Sequence, residues 1–390
     1  MAASGRTWQE AGLSAANRAA LDSVRERARR EQPRHVARIE RVLAAAGVDA
    51  DPHALLAAAG RQGVLTLNFH PDRLLADGRS VARALDQDGV YRSQFETSIS
   101  NGGLTAYPGG DRDRWERALF AGAYHGPEVR AAERPRYGGL NLMNHRNGAC
   151  PRFGSCHVEL RPEAAARATL IFGDSAARPT DIGLADAFAP VLAPLLETLA
   201  ATGGALGRSG IGVAELAEGL LHGDAAGRRG VFAPAMTRTL NDYVEAQVHG
   251  VVNLAADVDA VVLDPAFAGT PEHDRLRAAA DRHGFALRMH AGSALPLADV
   301  PRDVPDTAGA APMRWQLLCG GGRARRLAER VVEDHGTAAR LDAATIGRAA
   351  VSAVREPAGW RDWGPRPLVL QHLKDLWLLV VAHGGPLDPA

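Results

Sequence analysis

A row of polar side chains at strand spacing is the feature of this chain that most directly indicates chemistry. Strict alternation through YVEAQVHG (243–250) places a phenol, a carboxylate, an amide and an imidazole on one face of a predicted β-strand, namely Tyr243, Glu245, Gln247 and His249. The small and aliphatic residues between them form an opposite face that is apolar enough to pack. Because a buried polar group without a partner costs a few kcal/mol, we expect this row to face water or a site.

A second apolar run, residues 260–263, follows after a short connection that carries Asp257 and Asp259. We predict that this run forms a strand that returns beside the first one as a hairpin. Glu245 would then stand on a rigid two-stranded unit, five residues before Gly250.

A histidine ends another predicted strand. The segment VLTLNFH (64–70) alternates, with Thr66, Asn68 and His70 on its polar face, and Pro71 ends it. A lone histidine at a strand end is more often structural or exposed than functional. Here a predicted helix over 74–85, an Asp-Gly turn and a polar loop follow at once, so His70 is a candidate site residue.

The loop YRSQFETSISNGG (91–103) concentrates hydroxyl and amide side chains and ends in two glycines. Glycines let the backbone approach a ligand closely, and the polar side chains supply hydrogen bonds, so the composition indicates a ligand-binding loop. A solvated turn would have a similar composition, although Phe95 indicates that the loop is packed. The candidate residues in it are Tyr91, Ser93, Gln94, Thr97 and Asn101.

Other motifs narrow the chemistry. Tyr137 precedes two glycines in RPRYGGLNL and would offer a flat face to a planar ligand, although a core tyrosine would look the same. The run Gly320–Gly322 lacks the lysine and hydroxyl of a phosphate-binding loop, and the chain contains no HExxH, no GxSxG and no GxGxxG after a strand. Cys150 and Cys156 lack the partners of a zinc site. We therefore predict no metal site and disfavour metal-dependent hydrolysis, serine hydrolysis and Rossmann-type cofactor binding.

Composition and charge are those of a soluble enzyme. The chain has 390 residues, of which 46% are hydrophobic and 23% charged, and its net charge is +0. No global field attracts nucleic acid or an anionic membrane. The amino terminus lacks an apolar signal core, and we find no run of about 18 apolar residues. We therefore expect a cytoplasmic protein without a membrane partner.

The elements that must position these residues form an α+β chain. We predict helices over 16–30, 36–46 and from Pro52, within a helical amino-terminal segment, 1–60. The core, 61–300, adds a strand pair at 154–160 and 168–174 and a strand at 285–290. Further helices are predicted over 184–201, 211–222 and 272–283. The last segment, 301–390, is predicted to be helical from about Met313 and to pack on the core.

Laid in order, these pieces resemble the ADP-ribosyltransferase superfamily. The stretch from VLTLNFH through the helix to Gly89-Val90-Tyr91 resembles its first half, with His70 at the strand end. The segment YVEAQVHG followed by ADVDAVVLD resembles its late hairpin, which places the family's glutamate at Glu245 and its variable residue at Tyr243. The segments YRSQFETSISNGG, ERPRYGGLNL and LQHLKDLW resemble a bacterial family known mainly as a domain of unknown function.

The superfamily resemblance implies a split β-sheet core with helical flanks, and NAD as the substrate. Glu245 would stabilise the oxocarbenium-like transition state that forms when the nicotinamide–ribose bond breaks, and would bind the ribose 2′-hydroxyl. His70 would bind the hydroxyls of the adenine-side ribose. Either Tyr91 or Tyr137 would stack on nicotinamide. The remaining pocket residues would be Ser93, Gln94, Thr97 and Asn101.

Several functions fit this pattern. The first is an NAD-dependent ADP-ribosyltransferase or NAD glycohydrolase, whose acceptor is protein, nucleic acid, a small molecule or water. An RNA 2′-phosphotransferase, which also uses NAD, would need a basic patch, for which the candidates are Arg134, Arg136, Arg146 and Arg152. A catalytically inactive module that binds a nucleotide or a partner is a third, and an unrelated α+β hydrolase a fourth.

Overall fold

Helices make up most of the regular structure of this chain. The structure is a computed structural model that describes residues 12–99, 105–223, 232, 235–302 and 321–387. The helices are α1 Ala15–Ala45, α2 Pro52–Arg61, α3 Val81–Asp88, α4 Gln94–Thr97, α5 Asp111–Leu119, α6 Ala189–Thr202, α7 Val213–His222, α8 Leu254–Asp257, α9 Pro271–His283, α10 Arg323–His335, α11 Ala343–Arg355 and α12 Arg366–His383. Short 3₁₀ turns lie at Ala131–Glu133, Pro151–Phe153, Pro162–Arg167, Ser175–Ala177, Pro265–Phe267, Leu297–Asp299 and Pro357–Trp363.

One eight-stranded sheet forms the centre of the described fold. The strands are β1 Val64–Phe69, β2 Val90–Tyr91, β3 Arg136–Asn141, β4 Cys156–Leu160, β5 Ala168–Phe172, β6 Gly183–Leu184, β7 Gly204–Ala205, β8 Arg208–Ser209, β9 Val244–Val248, β10 Val252–Asn253, β11 Val258–Leu263, β12 Ala286–Met289, β13 Ala294–Pro296 and β14 Arg340–Asp342. The sheet order is β12-β11-β4-β1-β3-β9-β5-β6, and its pairs are antiparallel except β11–β12. Two-stranded pairs add β10–β2, β13–β14 and β7–β8. The α+β class is confirmed, but these strands form one continuous sheet rather than a split one.

Register puts the polar residues of several strands on one face of the sheet. Thr66, Gly139, Glu245 and Ile171 lie opposite one another in a row across β1, β3, β9 and β5. Directly opposed residues share a face of the sheet. The polar side chains of β9 and those of β1 therefore lie on the same face. The predicted division of β9 into a polar and an apolar face is confirmed.

The predicted hairpin is wrong. β9 pairs with β3 and β5, whereas β11 pairs with β4 and β12, so three strands separate them in the sheet. The connection between them instead contains β10, which pairs with β2, and the short helix α8. The strands predicted at 154–160 and 168–174 also form, as β4 and β5, but they do not pair with each other.

Two helix predictions also differ from the structure. The amino-terminal residues form a single helix, α1, which starts at a capping box on Ser14 and continues through Pro33. Proline lacks the N–H of one helical hydrogen bond, yet buried His35, Ile39 and Leu43 keep the next turns packed on the core. The helix predicted over 74–85 begins only at Val81, because the Ser80 hydroxyl accepts the Arg83 N–H and fixes the start there.

Helices cover the apolar face of the sheet. Leu192 and Leu196 of α6 belong to the same buried cluster as Leu67 and Val244. Residues of α12, Leu373 among them, extend this cluster into the carboxy-terminal segment.

The predicted helix α9 and strand β12 form as expected, and the described part of the carboxy-terminal segment is mainly helical. Among the described residues, no helix combines the length and apolarity needed to span a membrane.

Candidate active site

A cavity of about 210 Å³ lies where the end of β1 and the polar face of β9 meet the carboxy-terminal helices. Its wall combines segments that are far apart in the sequence, including β2, α4, the turn Pro151–Phe153, α11 and α12. His70 and Glu245 are separated in the sequence by more than half the length of the predicted core. Both nevertheless line this one cavity. The predicted site residues that line it are His70, Tyr91, Gln94, Thr97, Tyr137, Tyr243 and Glu245.

Glu245 is a buried carboxylate held by three hydrogen bonds. Its Oε2 accepts the Tyr243 hydroxyl at 3.0 Å and the Ser175 backbone N–H at 3.3 Å, and its Oε1 accepts the Gln247 amide at 2.9 Å. Only 3% of the residue is exposed. An ionised carboxylate has about four lone-pair sites, so one remains for a ligand donor. Strand β9 and these donors fix the carboxylate at the cavity wall.

Burial and neighbouring charges shift the pKa of Glu245. Burial, followed by the negative charge of Asp174, raises the pKa of Glu245, while Arg112 and the hydrogen bonds from Gln247 and Ser175 act in the opposite direction. Arg112 is fixed in turn by donating to the Ser175 hydroxyl at 2.6 Å. Asp174 forms an ion pair with Arg152 at 3.2 Å. The carboxylate therefore lies in a charged but largely water-free environment.

His70 is a neutral imidazole at the wall of the same cavity. Burial, then the charges of Arg73 and Lys374, lowers the pKa of His70 to about 3. Its ring packs edge-on against Trp377 of α12, with ring centroids 5.3 Å apart. A neutral imidazole donates from one nitrogen and accepts at the other, so His70 can bind a hydroxyl without adding charge.

The polar loop contributes only part of its predicted residues. Gln94 and Thr97 of α4 line the cavity, and the buried Gln94 Oε1 has no hydrogen-bond partner among the described residues. Ser93 instead caps α4: its hydroxyl accepts the Glu96 N–H at 3.2 Å and donates to the Ala131 carbonyl at 2.7 Å. It does not line the cavity, so its predicted role as a pocket residue is not supported. Asn101 lies outside the described residues.

Three tyrosines contribute their rings or hydroxyls in different ways. The Tyr91 ring packs edge-on against Phe69 at 6.3 Å. The Tyr137 hydroxyl donates to Glu116 at 3.0 Å, and the Arg112 guanidinium lies 4.1 Å from the Tyr137 ring centroid, which places a cation on one ring face. Tyr243 is only 1% exposed and orients Glu245. Both stacking candidates, Tyr91 and Tyr137, therefore remain at the cavity.

The row of polar residues on β9 divides into two parts. Tyr243 and Glu245 line the cavity, whereas His249 does not and lies in a closed buried network. Its Nδ1 contacts the Tyr124 hydroxyl at 2.5 Å, and its Nε2 contacts the Thr169 hydroxyl at 3.0 Å. The hydrogen-bonding groups of His249, at the carboxy-terminal end of the row, therefore find their partners inside the protein.

The candidate basic patch is only partly at the site. Arg152 and Arg136 line the cavity. Arg136, however, donates to backbone carbonyls such as those of Tyr91 and Gly250, and so holds loops together. Arg134 is paired with Asp113 and Glu116 at 2.7 and 2.8 Å.

Sequence reasoning missed the cations and the indole that complete the wall. These are Arg73 after β1, Arg112 on α5, and Lys374 and Trp377 on α12. No local spacing connects them to Glu245, because tertiary packing alone brings α5 and α12 to the cavity. One signal was present: Lys374 is the single lysine of the chain.

A group of possible metal ligands lies elsewhere, where α1 meets Asp181. The ligand atoms of Glu31, His35 and Asp181 lie within 4.8 Å of one another. Arg38 donates to His35 Nδ1 at 3.0 Å and to Asp181 at 2.7 Å. A neutral His35 must then carry its proton on Nε2, which leaves that nitrogen no lone pair for a metal ion. Arg38 therefore organises this cluster through its hydrogen bonds to His35 and Asp181.

The comparisons with known proteins identify the family but not the activity. A search among curated proteins finds no match. A family profile described as "Protein of unknown function (DUF3626)" matches residues 64–383, which include every described residue of the cavity wall. This match confirms the predicted membership in a family of unknown function and does not bear on the ADP-ribosyltransferase resemblance. The chain thus belongs to the DUF3626 family.

Proposed function

We propose that this protein cleaves the nicotinamide–ribose bond of NAD, as an ADP-ribosyltransferase or an NAD glycohydrolase, with Glu245 as the catalytic carboxylate. One observation carries the proposal: Glu245, His70 and several cationic side chains share one cavity. The sequence resemblance places the catalytic glutamate and the ribose-binding histidine at these same two positions.

The setting of Glu245 suits glycosidic cleavage. As the C–N bond breaks, its electron pair leaves with nicotinamide and positive charge develops on the ribose. A carboxylate fixed on a sheet strand stabilises that charge without reorganising, and low local polarity strengthens the attraction. The acceptor oxygen then bonds to the ribose carbon and loses its proton.

The cations suit the pyrophosphate of a dinucleotide. Arg73 and Arg152 line the same cavity as Glu245, and guanidinium groups bind phosphate oxygens well. The volume of about 210 Å³ is below the range typical of sites that enclose a drug-sized ligand. The cavity therefore takes the nicotinamide–ribose end, and the rest of NAD extends through its opening.

Gln94 provides a specific acceptor. Its buried Oε1 lacks a partner among the described residues, and such a group is costly unless a ligand satisfies it. The carboxamide N–H of nicotinamide is a donor of the required type. In this proposal, Gln94 recognises the leaving group, beside Tyr91 or Tyr137.

Nicotinamide release from NAD by the purified protein tests the proposal. We expect NAD binding by calorimetry, and nicotinamide release with water or with a cell lysate as the source of acceptor. Binding without release under both conditions would favour the inactive nucleotide-binding module. Absence of binding would overturn the proposal.

The pH dependence of the reaction should report the raised pKa of Glu245. The charged form stabilises the transition state, so activity should fall as pH drops through this pKa, with a midpoint above the usual glutamate value of about 4.3. Asp174→Asn removes a charge that raises this pKa, so its midpoint should shift to lower pH. Asp242→Asn is the matched control, because Asp242 binds the Gly207 N–H and does not act on Glu245. Equal midpoints in wild type and Asp174→Asn would contradict the assignment.

A further inference from the structure

Lys374 is unusual in both sequence and position. The chain has 45 basic residues, and all of them except Lys374 are arginine. A general preference for arginine explains the other basic residues, but it does not explain the single lysine. Arginine would supply the same charge permanently, whereas only lysine can release its proton and expose an amine lone pair.

The surroundings of Lys374 favour the uncharged amine. Its Nζ lies 5.5 Å from the Phe153 ring centroid, a contact that by itself favours the ammonium form, but the Arg152 guanidinium lies 4.6 Å from the same centroid, so a second positive charge is already close by. Burial, then the positive charge of Arg152, lowers the pKa of Lys374 to about 7, although Asp375 and Asp174 act in the opposite direction. An ordinary lysine at pH 7 is uncharged in about one molecule in 2,500, so this amine is far more available as a nucleophile.

The cavity also provides what a covalent amine site needs besides the amine. Arg152, which also pairs with Asp174, and Arg73 line this wall, and guanidinium groups attract anionic groups such as phosphate and carboxylate. The rings of Phe153 and Trp377 form part of the wall and limit access of water. Lys374 is half-buried and lines the cavity.

We propose that Lys374 is a nucleophilic amine that forms an imine with a small anionic aldehyde or ketone bound in the cavity. The neutral Nζ attacks the carbonyl carbon, and a proton moves from nitrogen to oxygen to give a carbinolamine. Loss of one water molecule then leaves the C=N bond, so the step needs no oxidant or reductant. The site shares the cavity with the proposed NAD reaction but does not depend on it.

The single lysine makes the test unambiguous. Pyridoxal 5′-phosphate, an aldehyde that carries a phosphate, is incubated with the full chain, the imine is reduced with borohydride, and the modified residue is identified by peptide mass. The α-amino group of the chain serves as an internal reference. We expect folded protein to label at Lys374 at least roughly tenfold faster than denatured protein at neutral pH. The pH midpoint should lie near 7 rather than near 10.4.

Two controls separate the amine from the anion site. Lys374→Arg keeps the positive charge and should lose this label, while the α-amino group labels as before. Inorganic pyrophosphate should protect Lys374 by occupying the arginines. Labelling of Lys374 no faster in folded than in denatured protein, or a midpoint near that of free lysine, would overturn the inference, and this comparison needs only the wild-type protein. Nicotinamide release is measured separately, so the proposed function can fail while this result stands.

Discussion

Glu245→Gln is expected to reduce nicotinamide release from NAD by about 10³-fold, the loss typical when a preorganised electrostatic partner is removed. The amide keeps the size of the side chain but loses the charge that opposes the developing cation. NAD binding should change by less than about threefold, because the substitution leaves the guanidinium groups of Arg73 and Arg152 in the cavity unchanged. Single-turnover release and calorimetry measure the two quantities independently.

The local hydrogen bonds allow this substitution without unfolding. The glutamine oxygen can accept the Tyr243 hydroxyl and the Ser175 N–H, while its amide nitrogen faces Gln247, whose own amide can rotate. Asp242→Asn is a matched control, since it also replaces a hydrogen-bonded carboxylate by an amide, and Asp242 binds the Gly207 N–H without lining the cavity. Its release rate should stay near that of the wild type.

The outcomes of this pair discriminate among the functions. Loss of release with retained binding supports the catalytic carboxylate. Equal loss of both in Glu245→Gln, with reduced thermal stability, would assign Glu245 a structural role. Unchanged release would disprove the part of the superfamily resemblance that places the catalytic glutamate here.

Local patterns predicted the faces of the strands but not their neighbours. Alternation around Glu245 fixed which side chains share a face, because successive strand residues point to opposite sides. It contains no information on pairing, and the assumption that β9 and β11 are adjacent failed. Strand pairing depends on contacts between residues that are far apart in the sequence. In this sheet the neighbours of β9 are β3 and β5.

The same distinction explains the site. His70, Tyr91 and Glu245 were predicted because each stands at a strand or loop position with a recognisable local pattern. Lys374 and Trp377 lie on a helix that is apolar on most sides, where periodicity indicates only burial. Their place at the cavity follows from docking of α12 against the turn at Pro151, which no local sequence feature encodes.

Trp377→Ala should lower the free energy of unfolding by about 3–5 kcal/mol, the range for removing a fully buried large aromatic side chain. The indole is 1% exposed, its N–H donates to the Pro151 carbonyl at 2.8 Å, and its ring supports His70. It therefore joins the carboxy-terminal helix, the 3₁₀ turn and the end of β1. Urea unfolding followed by far-ultraviolet circular dichroism measures the change.

Two further variants separate packing from the hydrogen bond. Trp377→Phe retains much of the buried ring but leaves the Pro151 carbonyl unpaired, so a smaller loss of about 1–3 kcal/mol is expected. Trp363→Ala, at a half-buried tryptophan near the same helix, should cost only about 1 kcal/mol. If Trp377→Ala also costs so little, α12 unfolds independently of the sheet. In that case the cavity wall, with Lys374 on it, would not be a fixed part of the fold.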